Sequence, residues 1–556
     1  MEDQRHDLSR RGLLLAAGTG LAGLYVAGCG GSDAKLPSAS SGGTNVAAGV
    51  PGPKSTGGRQ GGRLLVVWEI EADSYDPAIG YNLQAWDAQC CLLNAPLLVF
   101  GANGSAPVPN AAAAMPETNA NGTEYTIKLR PGVKFHNGRA VTADDYKYTW
   151  ERLLDPKLAS WAGSYLYAVE GAQAVSEGKA KRLAGVEAVD EQTIVVRLIQ
   201  PDSTFVNLLA SPYMAALPKE EVERHGDEFG KNFVGTGPFK LAEYDGKNQR
   251  AVFERNPAYL WKGLPYLDAV EYRWGIQPQL QLLQLKSGDI DALGGGIGAS
   301  LVSKVNAQPS LKPYVQPIAL QAVRWVGLNV DRAPFKDPRV RQALNWAVDR
   351  EQLGRVTFGE SEPWGAPFPK NLPDYRRTAE PYGYDPEKAK ALLAEAGVDH
   401  PSFEFLTSGE DPWPKLAQIM QQQLEAVGIE MRIRTVASSA FDALIAKHEP
   451  DAFEASWYMV QPTALDIINT NYISGGSSNY GQYSNAEVDK LAAQAGKALE
   501  EGPRNDIIAT IEDRITQDAP GVYLSSLNFI LGRSPDLENF QYNPIYGTYY
   551  DRLWKA

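Results

Sequence analysis

Side chains that could do covalent or acid–base chemistry are few and scattered in this 556-residue chain. Beyond His6 the histidines are His136, His225, His400 and His448, and none falls in an HExxH or other paired spacing that would put two imidazoles on one metal. No Gly-x-Ser-x-Gly turn presents a nucleophile, and Ser176-x-x-Lys179 has the letters of a serine–lysine pair without its companion motifs. The tandem carboxylates Asp144-Asp145, Glu220-Glu221 and Glu500-Glu501 fit solvated helix faces or caps. Cys90 and Cys91 are adjacent, which rarely bridges without strain, so they read as small buried hydrophobes. The expectation is no catalytic residue, no metal ligand and no cofactor. Twelve Trp and twenty-six Tyr are instead a rich supply for non-covalent contact. Such rings serve core packing, and they equally suit a cleft that grips varied organic ligands.

Groups of that kind need a scaffold, and the most informative stretch of scaffold is Tyr125 to Arg152. Alternation of Tyr125, Ile127 and Leu129 with Thr126, Lys128 and Arg130 predicts a half-buried strand. Pro131-Gly132 turns the chain, Val133 to Phe135 predict a second short strand, and Asn137-Gly138 makes the next turn. Thr142 and Asp145 form a capping box for a helix that buries Tyr146, Trp150 and Leu153 and stops at Asp155-Pro156. Further on, Arg63 to Trp68 and Ile194 to Leu198 read as strands, and Leu280 to Lys286 as a helix capped by Gly288. Asp337 caps a helix with Pro338 in its first turn and Val340, Ala343, Leu344 and Ala347 on one apolar face. After that point a helix from Pro386 to Gly397, a strand from Phe403 to Thr407, a helix from Pro414 to Val427 and a strand from Ile429 to Val436 set an α/β rhythm.

The start of the chain carries no scaffold. Ser9-Arg10-Arg11-Gly12-Leu13-Leu14 resembles a twin-arginine export motif, and the apolar run from Leu13 ends in Val26-Ala27-Gly28-Cys29, which resembles a lipoprotein cleavage box. The alternative is a signal anchor with an incidental cysteine. Residues 1–28 are read as the signal segment, and 29–61 as a lipidated Cys29 followed by a Gly/Ser-rich flexible tether. The body beyond is long enough for two or three domains. A net charge of −13 and a pI near 5.1, with no basic block, argue against a nucleic-acid partner.

Taken in order, RPGVKFHNG with TADD (Arg130–Asp145), Gly235-Thr236-Gly237-Pro238-Phe239, Asn256 to Gly263 (NPAYLWKG) and Ala333 to Leu344 (APFKDPRVRQAL) resemble the signature of peptide-type (family 5) extracellular solute-binding proteins of ABC transporters. The resemblance runs from about Gly62 to the C-terminus. It implies a two-lobed α/β periplasmic-binding-protein-like fold, with mixed sheets covered by helices, an extra subdomain in the first lobe and a hinge between lobes. The implied layout is lobe I at 62–320 with a subdomain at about 106–231, lobe II at 321–526, and 527–556 returning to lobe I, with crossovers near Ala319–Val323 and Ser525–Leu527. It also implies a monomer held to the extracytoplasmic face of the membrane by its lipid. Such a protein captures a peptide or other small solute in the cleft and hands it to permease subunits, without enzymatic chemistry. A receptor for a signalling peptide, a carrier of a non-peptide solute, and an exported hydrolase are the other readings.

By family position the cleft candidates are Glu71, Tyr75, Trp325, Trp457, Tyr458 and Tyr523, with core packing the alternative for each ring and a solvated loop the alternative for Glu71. One departure stands out. Peptide binders of this type commonly carry an aspartate about three residues after the tryptophan matched by Trp457, where it pairs with the ligand's ammonium, whereas this chain has Val460 in a loop about two residues shorter. A buried ammonium without a carboxylate is costly. Either another acid, Asp466 or Glu71, substitutes, or the ligand is not anchored by a free amino terminus.

Overall fold

The structure, a computed structural model, describes residues 58–101, 104, 106–372, 378 and 381–556. The expected signal segment, Cys29 and the tether up to residue 57 lie outside the described residues.

Strand Arg63–Val67 pairs in parallel with Ala269–Arg273 on one edge and Ala292–Leu293 on the other, and its two faces enter different cores, Leu64 and Val66 in one and Val67 in the other, so its sequence is almost wholly apolar. Antiparallel strands Arg250–Arg255 and Phe239–Asp245 complete this five-stranded sheet. A second sheet of four strands has Glu124–Lys128 paired with Glu117–Thr118 and Thr193–Arg197, and Val186–Asp190 beyond. Ile127, Tyr146 and Trp150 from the second sheet's layer share one core with Phe253 and Tyr272 of the first.

The helix predicted after the second turn spans Ala143–Leu153, and Asp145 accepts from the Thr142 backbone N–H at 2.8 Å to close the capping box. Trp150 is fully buried and donates its indole N–H to the Met214 carbonyl at 3.1 Å. The short strand expected at Val133–Phe135 is not a strand. It is one arm of a tight hairpin, with a single bridge between Lys134 and Ala140 and the Phe135 N–H bonded to Arg139 O. Gly132 and Gly138, both at positive φ, turn the chain at either end and leave no length for a ladder.

The other lobe is built on a six-stranded mixed sheet in the order Ser361–Pro363, Gly521–Gly532, Val315–Leu328, Ala452–Tyr458, Ser402–Thr407, Glu430–Thr435. The first three pairings are antiparallel and the last two parallel. Strand alternation divides Gly521–Gly532 between two cores, Val522 and Leu524 facing the helices Pro338–Ala347 and Trp413–Glu425, and Tyr523 facing Ala486–Lys497 and Glu501–Asp518. Asp337 caps its helix through the Arg339 N–H, and Gly397 ends another at φ +67°, as the spacing predicts.

Val315–Leu328 and Gly521–Gly532 are the strands that join the two halves. Ile530, near the end of the latter, packs with Val67 and Leu293 of the first lobe, while Val522 lies in the second lobe's core. Their pairing falls out of step in between, passing from Ala319–Asn528 to Val323–Ser526. The chain then returns to the first lobe. There Asp87, buried, accepts hydrogen bonds from the hydroxyls of Tyr272, in the five-stranded sheet, and Tyr550 (2.9 Å) in the returning segment. Gly547, at φ +113°, is close enough that an added Cβ would come within 2.2 Å of Asp87 Oδ1.

Candidate ligand cleft

The first lobe's contribution starts where strand Arg63–Val67 ends. The loop that follows is held by Asp73, whose carboxylate accepts from the Tyr81 N–H (3.0 Å), and by buried Asp76, which accepts from Ala78 N–H (3.1 Å) and Arg152 Nη1 (2.9 Å). Arg152 ends the capped helix, so the loop is tied to the most legible stretch of the chain. Glu71 is exposed, and its Oε1 accepts a hydrogen bond from the Tyr244 hydroxyl. Tyr75 is only 2 % exposed and packs edge-on against Tyr244 and Phe253, at ring separations of 6.2 and 5.4 Å. Burial, then the neighbouring Tyr244 and Glu71, push its hydroxyl pKa well up. Tyr75 thus supports the wall from behind while Glu71 reaches solvent.

In the second lobe, register puts Trp325 opposite Tyr523 and Ala455, and Trp457 opposite Val323, on one face of the sheet. Helices cover that face, so Trp325 is 7 % and Tyr523 1 % exposed, both inside a core rather than on the cleft surface. Tyr458 points the other way and is 44 % exposed. Of the six candidate residues the structure therefore leaves Glu71 and Tyr458 exposed and Trp457 half-buried at the edge of a core, and buries Tyr75, Trp325 and Tyr523.

Asp466, one of the two acids considered as a substitute for the missing aspartate, comes close to Val460. Thr463 caps the short helix Ala464–Ile467 by accepting from the Leu465 N–H, which swings Asp466 back toward the strand end. Its Oδ2 accepts from the Trp457 indole N–H at 2.8 Å and from the Val460 backbone N–H at 3.3 Å. The carboxylate thus sits beside the position the absent aspartate would occupy, fixed by two donors and, among the described residues, paired with no cation. Burial raises its pKa to about 7 even though both hydrogen bonds lower it.

Across from it the first lobe has a cluster of rings, of which Trp86, Trp161 and Tyr165 are half-buried and Tyr213 lies in the core behind them. Tyr165 and Tyr213 stack at 5.6 Å, Trp161 meets Tyr213 at 5.2 Å, and Trp86 meets Trp161 at 6.3 Å. Tyr165 and Tyr213 have hydroxyl pKa values raised by burial first and, further down, by the charge of Asp466, which places that charge within electrostatic reach of the first lobe. Trp161 Nε1 is buried without a hydrogen-bond partner. Sequence reasoning missed these four rings, which come from three separate segments. The only local signal was the aromatic density of Trp161-Ala162-Gly163-Ser164-Tyr165-Leu166-Tyr167.

An anionic group with fixed donors behind it and π faces in front suits an organic cation. His136 does different work: its Nδ1 accepts from Gly235 N–H (3.1 Å) and Nε2 lies 3.2 Å from Gly237 O, so it pins a glycine turn, and burial lowers its pKa to about 4.

A family model for bacterial extracellular solute-binding proteins, family 5 (middle region), matches residues 106–479. The glutathione-binding protein GsiB of Pectobacterium atrosepticum is 28 % identical over 468 residues, 80 % of this chain and 85 % of that protein. Among solved structures, the clavulanic acid biosynthesis oligopeptide binding protein 2 superposes with a TM-score of 0.81 at 22 % identity, over 90 % of this chain and 96 % of that one. The unliganded open form of the periplasmic murein tripeptide binding protein MppA gives 0.77 at 24 % identity, over 89 % of this chain and 98 % of that one.

Proposed function

The chain belongs to the family 5 bacterial extracellular solute-binding proteins of ABC importers, and on that premise we propose that it captures a peptide by its ammonium group, which Asp466 receives in place of the missing aspartate. The observation that carries this reading is the Asp466 carboxylate: it is held by Trp457 and Val460, is largely desolvated, and has no cation of its own among the described residues. A carboxylate kept in that condition destabilises the protein that keeps it, and a ligand ammonium supplies the missing charge. Similarity to proteins named for glutathione, murein tripeptide and oligopeptides supports a short peptide or peptide-like ligand.

In this reading lobe I comprises 62–320 and 527–556, lobe II 321–526, and the step in pairing near Ala319–Val323 is where the lobes swing. Ligand touches both lobes, so it favours the closed form through differential affinity, and the permease takes the closed form. Glu71, Trp457 and Tyr458 line the cleft. Cys29 carries the lipid that keeps the protein at the extracytoplasmic face, near its permease. A second reading, a non-peptide organic cation, is favoured by the half-buried rings of Trp161 and Tyr165, which can face any ammonium.

Calorimetric titration of the whole chain with tri-alanine, its N-acetyl form, and simple alkylammonium salts decides between them. Free-amine peptide binding that falls at least a hundredfold in Asp466→Asn supports the proposal. Equal binding of the acetylated peptide overturns the anchor, and binding of alkylammonium salts alone selects the second reading.

A further inference from the structure

The two lobes also meet through a contact that uses neither joining strand. Ser203 lies in the turn that follows strand Thr193–Arg197, on the four-stranded-sheet side of the first lobe. Its backbone N–H donates to the Gly496 carbonyl at 2.7 Å, and its hydroxyl donates to the Ala495 carbonyl at 3.2 Å. Both acceptors belong to the last turn of the helix Ala486–Lys497, which packs in the second lobe's core through Val488, Ala492 and Ala495. The last carbonyls of a helix run short of intrahelical donors; Ala495 O takes the Ala498 N–H (3.2 Å) as well as the Ser203 hydroxyl, and Ser203 N–H serves Gly496 O. Asp202 shapes the turn that delivers this donor, accepting from the Thr204 N–H at 2.8 Å and its hydroxyl at 2.7 Å.

A second contact lies alongside. Leu499, just past the same helix, sits so close over Gly122 that an added Cβ there would come within 2.3 Å of its Cδ1. Gly122, at φ +65°, is in the turn between strands Glu117–Thr118 and Glu124–Lys128. Leu499 is otherwise 39 % exposed, so this apolar contact is its main cover.

We propose that Ser203 and the Gly122–Leu499 contact form an interlobe latch that holds the two lobes in the arrangement seen here, independently of which ligand occupies the cleft. The polar half of the latch uses main-chain carbonyls and the apolar half uses one leucine, and neither includes a cleft residue named above. Its contribution therefore changes the affinity of every ligand by a common factor, through the fraction of protein held in that arrangement. Ser203 is a positioning residue in this sense, acting through the lobes rather than on the solute.

Hydrogen exchange on the ligand-free whole chain reads the latch directly. The Ser203 amide should be protected in the parent protein and exchange at least tenfold faster in Leu499→Asp, while the amides of Thr193–Arg197 keep their protection. Ser203→Ala, which keeps the backbone bond, should give an intermediate loss, and Ser203→Thr should restore the parent rate. In titrations, Leu499→Asp should shift the affinities for tri-alanine and for any longer free-amine peptide by one common factor, up to roughly tenfold, which the net worth of one or two hydrogen bonds and a small apolar contact allows. Parent-like Ser203 protection in Leu499→Asp, or an unprotected Ser203 amide in the parent, overturns the latch. The exchange arm needs no ligand, so its outcome stands apart from that of the peptide reading.

Discussion

At the scale of single residues, Asp466 ties stability to function with opposite signs. In the ligand-free protein its pKa stands near 7, against an ordinary value of 3.8. The folded state therefore holds a proton that the unfolded chain has lost between about pH 4 and 7, and stability from this group declines as pH rises through that window. At pH 7.5 the group costs the fold on the order of 2–4 kcal/mol. Asp466→Asn should raise the melting temperature of the ligand-free protein by several degrees while abolishing ammonium binding. The affinity of the parent for tri-alanine should fall about three- to fivefold from pH 8 to pH 6, because the carboxyl takes up its proton faster than the peptide's own amine gains one, and the fall should vanish in any residual binding by Asp466→Asn; a profile that only rises toward pH 6 would remove Asp466 from the site. The absence of an aspartate at Val460 was legible in the sequence, and Asp466 was one of two named substitutes. What was not legible is the path by which it returns, because the Thr463 cap and the Trp457 bond are tertiary outcomes of a short loop. The parity of Trp325 and Tyr523 was hidden for a similar reason: strand period places them on one face, but only the sheet's partners say whether helices or solvent cover it.

Elements were the most readable level, because their signals are local. Caps at Thr142, Asp337 and Asp385, and positive-φ glycines at Gly288, Gly397 and Gly428, ended helices and turns where the residue types require it. The Gly235-Thr236-Gly237-Pro238-Phe239 turn is a different case. Its glycines are needed for approach: a Cβ on Gly237 would lie 2.2 Å from Leu92 O, and one on Gly235 2.3 Å from Leu93 O. Their N–H groups and the Thr236 hydroxyl stitch this turn to that segment and to His136. Chemical denaturation should rank two substitutions accordingly. Thr142→Ala loses a cap and should cost about 1 kcal/mol. Gly237→Ala drives a methyl into backbone that cannot yield and should cost about 3 kcal/mol or more, or prevent folding. Equal costs would mean that the turn has room the structure does not show. The hairpin at Val133–Phe135 was misread as a strand because alternation over three residues cannot distinguish an extended arm from a ladder.

For the whole molecule, the two joining strands and the Ser203 contact define opposing tendencies, one allowing the lobes to part and the other holding them together. Small-angle scattering on the parent should show a smaller radius of gyration with tri-alanine than without, and a ligand-free Leu499→Asp protein should be the most extended of the three. No contraction on binding would detach capture from closure. The connectivity of the fold also orders events during synthesis. The second lobe is one continuous run of chain, whereas the first is complete only when residues near Thr548 and Tyr550 arrive to satisfy Asp87. During synthesis the second lobe's core is complete once Gly521–Gly532 has been made, whereas the first lobe, begun earlier, still lacks the partners of Asp87 until residues near Thr548 and Tyr550 follow. A product that stops before Thr548 would leave Asp87, buried against the sheet, without its Tyr550 partner, and would be recognisable to quality-control proteases as unfinished.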